Sequence, residues 1–331
     1  MNMEAFKALV VDCKEDGNCR CEVSELEMGQ LPPGELLVRV AYSSLNYKDA
    51  LAASPNGGIV KAYPFVPGID LAGTVVSSED SRFREGDAIV ATGYELGVSH
   101  FGGYAEYARI PADWAIPLPR GLTLKEAMTY GTAGFTAALS VQALRDNGVV
   151  PEDGPVLVTG ATGGVGSVAV AILAKLGYEV TAGTGKPEAK EELLELGARS
   201  VIDRNELMPA TPRPLDKQRW AGAVDCVGGK PLAAVLAGVK YGGTVAASGL
   251  TGGTDLPTTV FPFILRGVRL IGIDSVFVPM PARRKVWELL TTEYRPDKLQ
   301  ELSSEISLDD VPTAMSAMLA GRSKGRIVVK L

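Results

Sequence analysis

The apolar positions of this chain change rhythm part-way along. Up to about Leu118 they recur in short alternating runs. Leu36-Leu37-Val38-Arg39-Val40 alternates after the Pro32-Pro33-Gly34 turn, and Ala72-Gly73-Thr74-Val75-Val76 makes a second run. Glu85-Gly86-Asp87 turns into Ala88-Ile89-Val90-Ala91, and Tyr104-Ala105-Glu106-Tyr107-Ala108-Arg109-Ile110 makes a fourth. Short strands between Gly/Pro turns predict a small barrel-like β domain. Pro117-Leu118-Pro119 marks the hand-over, and a helical stretch of small residues follows from Leu124 to Leu144. Beyond it, strand and helix patterns alternate. Strands are expected at 156–159, 178–182, 199–203, 222–227, 243–248 and 268–274, with helices at about 165–176, 187–196 and 230–239. Six strands joined by right-handed crossovers predict a doubly wound parallel sheet. The stretch 202–221 has no clear helix pattern. The tail, Leu308 to Leu331, reads as a helix and then a strand (Arg326 to Lys330), the wrong order to extend that sheet. It is expected to return to the first domain. The chain therefore reads as α/β, with a β domain over 1–125 and 276–331 and a parallel-sheet domain over 126–275.

The first strand of the second domain runs into Thr159-Gly160-Ala161-Thr162-Gly163-Gly164-Val165-Gly166-Ser167. Glycines let the backbone turn tightly and admit a pyrophosphate, while a helix N-terminus offers N–H groups to the anion. The run fits A-x-G-x-x-G, with Ala161 where the first glycine usually stands. A structural glycine turn would look alike. Here a strand precedes, a helix follows and a second strand begins at Tyr178, the context that a dinucleotide fold requires. At the end of that second strand an NAD site carries Asp or Glu. This chain has Gly183-Thr184-Gly185-Lys186 instead. A hydroxyl, a backbone N–H and an ammonium attract a 2′-phosphate, and Arg204, after the third strand, stands ready to close over it. NADPH is expected over NADH; the alternative is that Lys186 is a solvated surface lysine.

A length of 331 residues agrees with two domains, and 46% hydrophobic residues suffice for two cores. Net charge is −6 and the longest basic block is Arg283-Arg284-Lys285, so nucleic acid is not an expected partner. No run approaches the ~18 apolar residues of a membrane span. Met1-Asn2-Met3-Glu4-Ala5-Phe6-Lys7 lacks the layout of a signal peptide, so a cytoplasmic protein is expected. Cys13, Cys19 and Cys21 cluster while Cys226 stands alone. Three thiols with no nearby histidine do not complete a tetrahedral metal set, and reduced side chains on an N-terminal hairpin are expected. His100 is the only histidine, which removes most zinc enzymes and Ser–His hydrolases. The G-x-S-x-G, H-E-x-x-H and G-x-x-x-x-G-K-[ST] motifs are absent.

Several longer runs carry a family resemblance. They are Ser44-Leu45-Asn46-Tyr47-Lys48-Asp49-Ala50-Leu51, Pro67-Gly68-Ile69-Asp70, and Tyr130-Gly131-Thr132-Ala133-Gly134-Phe135-Thr136-Ala137. To these add Thr159 to Gly166, Tyr241-Gly242-Gly243, Pro262-Phe263-Ile264-Leu265-Arg266 and Gly272-Ile273-Asp274-Ser275-Val276. Over essentially its whole length the chain resembles the medium-chain dehydrogenase/reductase superfamily. Within it, it resembles the YhdH/YhfP family of quinone oxidoreductases, which includes NADPH-dependent acrylyl-coenzyme A reductases. The resemblance implies a GroES-like β-barrel catalytic domain and a Rossmann domain with a doubly wound, parallel six-stranded sheet. It also implies that both zinc sites of the alcohol dehydrogenases are missing. The first zinc cysteine falls on Asn46, the Gly-His-Glu on Gly68-Ile69-Asp70, and residues 93–115 hold no cysteine. The zinc-free branch reduces an activated C=C or a quinone. Asn46 and Asp70 are implicated in the active site and Tyr47 as a cofactor contact. Thr162, Gly163, Gly164, Val165 and Gly166 fall at the pyrophosphate, and Thr184, Gly185, Lys186 and Arg204 at the 2′-phosphate. Leu250, Ile264, Ser275 and Arg326 are further cofactor positions. Two chains are expected to pair as a homodimer along the last Rossmann strand, Arg269 to Ser275, because exposed sheet edges are usually covered.

The expected reaction is hydride delivery to the β-carbon of an α,β-unsaturated carbonyl, with negative charge gathering on the carbonyl oxygen. The Asn46 amide is a candidate donor to that oxygen. The Tyr47 hydroxyl, or a water, is a candidate to protonate the α-carbon or orient the nicotinamide, and Asp70 is a candidate acid or base. Plainer roles stand beside these. Asn46 satisfies loop backbone groups, Asp70 pairs with Lys48 or caps N–H groups, and Lys48 with Asp49 forms a structural ion pair. His100 either lines the cleft mouth or sits in a surface loop. Arg266, Arg269, Arg283 and Arg284 are candidates for a basic entrance that a coenzyme A substrate would prefer. Quinone reduction is the rival chemistry, and a non-catalytic NADPH-binding protein the rival class.

Overall fold

The computed structural model describes residues 5–14, 18–54, 57–208, 211 and 213–331. The first four residues of the leader reading, and part of the unpatterned 202–221 stretch, lie outside them. The chain divides into two units. Unit 1 comprises Met1–Thr132, Val276–Thr291 and Leu299–Leu331; unit 2 comprises Ala133–Ser275 and Thr292–Lys298.

Unit 1 opens with a hairpin of β1 (Ala5–Cys13) and β2 (Cys19–Glu27). Its register sets Cys13 opposite Cys19, and the two are joined in a disulfide with Cα atoms 4.0 Å apart. The expectation of reduced cysteines is corrected for this pair. Directly opposed residues of a hairpin bring their Cβ atoms within bridging range, which the linear spacing does not reveal. Cys21 and Cys226 stay free.

The main sheet of unit 1 begins with β3 (Leu36–Ser44), β4 (Asp70–Ser78), β5 (Ala88–Thr92), β6 (Tyr107–Ile110) and β7 (Ala115–Pro117). Alternation along β3 turns Leu36, Val38 and Val40 inward, where they meet Leu71, Val75 and Ile89. Each such fully buried aliphatic side chain contributes about 1.5–3 kcal/mol relative to exposure. The helix α1 (Tyr47–Ala52) leaves the end of β3. The predicted helix after residue 124 is α2 (Leu124–Asp146), but it is broken at Gly131, whose backbone is not helical (φ 52°, ψ −157°). Thr132 and Ala133 on either side of the next bond belong to different units.

Unit 2 is built on β8 (Val156–Thr159), β9 (Val180–Thr184), β10 (Ser200–Asp203), β11 (Trp220–Asp225), β12 (Val239–Ala247) and β13 (Arg269–Gly272). Among the described residues these form one sheet in the order β10-β9-β8-β11-β12-β13, parallel throughout. The order reverses direction at β8. Such a switch point leaves a crevice at the carboxyl ends of the two diverging strands, where ligands bind in open α/β sheets. Between β10 and β11 the helix 204–207 is a single short turn, in keeping with the weak pattern there.

The last segment of unit 1 carries β14 (Ser303–Ser307) and β15 (Arg326–Lys330). The sheet order there is β14-β15-β3-β4-β5-β7, with β6 also on β3. The tail strand therefore pairs with β3, Val328 opposite Ser44.

Candidate active site

In unit 1 the strand register gathers polar residues from distant parts of the chain. Just beyond the Val328–Ser44 pair, Arg326 reaches Asn46 through its side chain. Ser44 ends β3 and Asp70 opens the neighbouring β4. The Asp70 carboxylate is fully enclosed (0% exposed). Its Oδ2 accepts from the Ser44 hydroxyl (2.5 Å), the Asn46 amide (2.8 Å) and the Thr132 N–H (2.9 Å), and its Oδ1 accepts from the Thr132 hydroxyl (2.5 Å). Four donors, not Lys48, satisfy this carboxylate.

Arg326 is 2% exposed. Its guanidinium donates to the carbonyls of Thr129 (3.0 Å) and Leu45 (3.2 Å), to Asn46 Oδ1 (3.3 Å) and to Ser44 Oγ (2.7 Å). Its Nη2 lies 4.0 Å from Asp70 Oδ2. Desolvation lowers its pKa and the two carboxylates nearby oppose that shift. A residue placed at the cofactor by resemblance is thus held in the interior of unit 1.

Asp49 is the second buried carboxylate. It accepts the N–H groups of Asn46 (2.8 Å) and Ile69 (2.9 Å) and the Tyr104 hydroxyl (3.0 Å). Burial, and then the Asp70 charge, push its pKa up to about 7. It ties the start of α1 to the loop before β4, and the expected ion pair with Lys48 is not made among the described residues.

Asn46, the residue before α1, is 8% exposed. Its two amide hydrogens go to Asp70 Oδ2 and, at a longer 3.2 Å, to the Ser44 carbonyl. An amide so engaged does not ligate a metal, and Ile69 offers only a buried apolar side chain. A zinc ion does not fit these donors. Tyr47 differs: it is 40% exposed.

Other readings are redirected by the structure. His100 is part-buried, 2.7 Å from the Arg109 carbonyl and edge-on to Trp114, and burial lowers its pKa. Arg283 is buried and donates to Thr92 and the Val276 carbonyl. Arg266 donates to the carbonyls of Ala237, Val239 and Asp216, and Arg269 to that of Gly242. All three make structural ties, Arg283 from a buried position and Arg269 from an exposed one.

Unit 2 holds the glycine turn expected to grip the cofactor. The helix α3 (Gly164–Lys175) follows directly on the glycine turn, and no side chain caps its N-terminus. Its first N–H groups lack intrahelical acceptors, so the turn from Thr162 to Gly166 suits an anion. The Thr159 hydroxyl donates to Asp225 (2.7 Å) and accepts from the Cys226 N–H (3.0 Å). This stitches the carboxyl ends of β8 and β11 together at the switch point. Thr162 and Thr184 hydroxyls lie 3.4 Å apart, and Thr184 Oγ1 accepts the Lys186 N–H. Thr184 pairs with Asp203 across β9 and β10, which brings Arg204 beside Gly185. A Cβ on Gly185 would stand 2.7 Å from Arg204 Nε, so the exposed Arg204 side chain lies directly over Gly185. Leu250 and Ser275 follow the ends of β12 and β13, and Ile264 lies 71% exposed on the helix Phe261–Arg266.

Residues 32–120 match the alcohol dehydrogenase GroES-like domain family, and residues 164–292 the zinc-binding dehydrogenase family. Acrylyl-CoA reductase AcuI of Ruegeria pomeroyi is 52% identical over 325 residues, 98% of each chain. The chain belongs to the AcuI/YhfP/YhdH family of medium-chain oxidoreductases. Two solved family members superpose closely. Bacillus subtilis YhfP, crystallised with NAD, is 54% identical with a TM-score of 0.96 over 99% of each chain. The YhdH oxidoreductase of Salmonella enterica, crystallised with NADP, is 49% identical with a TM-score of 0.95, covering 98% of this chain and 99% of its own. Ser44, Gly131 and Thr132 lie inside runs that carried the resemblance, yet no motif assigned them a role. Their signal is a small or polar residue at a buried strand end or helix break.

Proposed function

We propose that this family member is an NADPH-dependent reductase of the C=C bond in α,β-unsaturated carbonyl compounds, acrylyl-coenzyme A among them. The observation that supports the cofactor is the pair of cationic side chains, Lys186 and Arg204, at the end of β9 where an NAD site has a carboxylate. Charge-assisted hydrogen bonds to a 2′-phosphate are the strong kind. Thr162 to Gly166 hold the pyrophosphate. Bound there, NADPH supplies a hydride.

The acceptor's carbonyl oxygen gains negative charge as its β-carbon is reduced, and fixed donors aimed at that oxygen lower the barrier. Tyr47 offers an exposed hydroxyl. Asn46 offers the N–H now resting on the Ser44 carbonyl at the long end of the hydrogen-bond range; the other stays on Asp70. Tyr47 or a water protonates the α-carbon. Asp70, enclosed by four donors, acts on the acceptor only through Asn46 and Thr132. We infer further that two copies pair along β13, an edge strand of the sheet, next to the exposed Ile264 and Leu265. A cytoplasmic location goes with a nicotinamide reductant. Among the described residues no helix is long and apolar enough to cross a membrane.

Oxidation of NADPH in parallel with acryloyl-coenzyme A, a simple enone and 1,4-naphthoquinone tests the reading. Turnover of the thioester or the enone is expected. Turnover of the naphthoquinone alone makes the protein a quinone reductase, and flat traces with all three make it a binding protein.

A further inference from the structure

We propose that Arg326 is a positioning residue which, with Asp70, holds the side-chain amide of Asn46 in a single orientation; this rests on the function proposed above. A primary amide has two ends of opposite character, and a half-turn of the side chain exchanges them. Around Asn46 the two ends meet opposite charges. Arg326 Nη1 faces Oδ1 at 3.3 Å and the Asp70 carboxylate faces Nδ2 at 2.8 Å. Turning the amide over would set NH2 against a guanidinium and oxygen against a carboxylate. Both contacts would then be repulsive, in an interior where charges are poorly screened.

The brace extends to the backbone. Arg326 holds the Leu45 carbonyl, its strand neighbour Ile327 accepts the Leu45 N–H (2.9 Å), and Asp49 holds the Asn46 N–H. Ser44 Oγ completes the circuit, accepting from Arg326 and donating to Asp70. The fork geometry of Arg326 reaches four acceptors at once, on Thr129, Leu45, Asn46 and Ser44. A lysine has no such fork. The last strand of the chain thus sets the direction of an amide 280 residues earlier. Arg326 does this from inside unit 1, through its contact with Asn46.

The test is a double-mutant cycle of Arg326→Met and Asn46→Ala with NADPH and acryloyl-coenzyme A. Alone, Arg326→Met lowers kcat about 10²-fold, the scale of a misplaced reacting group, and moves KM for NADPH less than about twofold. In the Asn46→Ala background it changes kcat less than about twofold, because the group it positions is gone. Equal losses in both backgrounds overturn the proposal, as does a raised KM for NADPH at unchanged kcat, the mark of a cofactor contact. Arg326→Lys keeps the charge without the fork and recovers part of kcat; its own cycle with Asn46→Ala replaces the first if the Met variant does not fold. Solvent exchange of the Asn46 side-chain amide, followed by NMR, needs no turnover. It is expected at least about tenfold faster in Arg326→Lys than in the wild type, and equal exchange overturns the brace. A wild type that reduces none of the three acceptors defeats the proposed function, and the exchange measurement then still decides the brace.

Discussion

Gly131→Ala strikes the buried cluster at its tightest point. Gly131 has φ 52° and ψ −157°, a combination that L side chains rarely adopt. Forcing it costs about 1–3 kcal/mol. The added Cβ would stand 2.4 Å from Ser44 Oγ, 2.5 Å from Asp70 Oδ2 and 2.7 Å from Arg326 Nη2. All three must give way, and they are the atoms that bond one another. Losing one hydrogen bond to the Asp70 carboxylate costs a further ~1.5–3 kcal/mol. The total, about 2.5–6 kcal/mol, is a large part of the ~5–15 kcal/mol that holds a domain folded. Gly121→Ala is the control. Gly121 also has positive φ (89°) but nothing within 4 Å of the added atom, so only the conformational cost of about 1–2 kcal/mol applies. Urea unfolding followed by tryptophan emission reads both, since Trp287 is buried edge-on to Tyr130 next to the break. At a slope of ~2 kcal/mol/M the Gly131→Ala midpoint falls by about 2 M. Equal shifts for the two variants, or a Gly131→Ala protein within about 1 kcal/mol of wild type, would refute the clash as the source.

Lys186→Ala and Arg204→Ala should each raise KM for NADPH about tenfold while leaving NADH kinetics nearly unchanged; comparable efficiency of the wild type with both nucleotides would defeat the 2′-phosphate reading. Asn46→Ala is expected to lower kcat with an enone about 10²-fold, and near-normal turnover would remove it from the reaction. Asp49 keeps its proton up to about pH 7 in the folded protein and only to about pH 4 unfolded. Its contribution to stability is therefore complete below about pH 4 and is lost as pH rises through about 7. The stability difference between Asp49→Asn and wild type should grow in favour of the variant across that window, and a constant difference counts against the buried proton. Thiol titration of the unfolded, unreduced protein should find two of the four cysteines; four would mean that Cys13 and Cys19 are not bridged.

Much of unit 2 is legible residue by residue. The helix expected at about 165 begins at Gly164, and the first strand ends at Thr159 as read. Both rest on neighbours in sequence: an apolar run, a glycine turn, small residues spaced for a sheet. The glycine turn is legible for the same reason, whereas it takes the strand register, Thr184 beside Asp203, to bring Arg204 over Gly185. Unit 1 is less legible. Ser44, Asp70, Thr132 and Arg326 come from four separate segments, and nothing local marks them as partners. Arg326, which the resemblance places at the cofactor, is held among backbone carbonyls and Asn46, a setting that no local signal marks. Gly131 interrupts a stretch whose composition reads as unbroken helix.

By itself the sequence determined the two-part layout, the glycine turn after β8 and the basic end of β9. Each is a statement about residue type or short spacing, and short-range sterics and charge are enough to make it; the replacement of zinc ligands by Asn46 and Ile69 is what the family resemblance implied. Only the tertiary structure decided which polar groups are buried together and which way Asn46 points. An interior carboxylate takes its meaning from the donors around it, and β-strand pairing draws those donors from opposite ends of the chain.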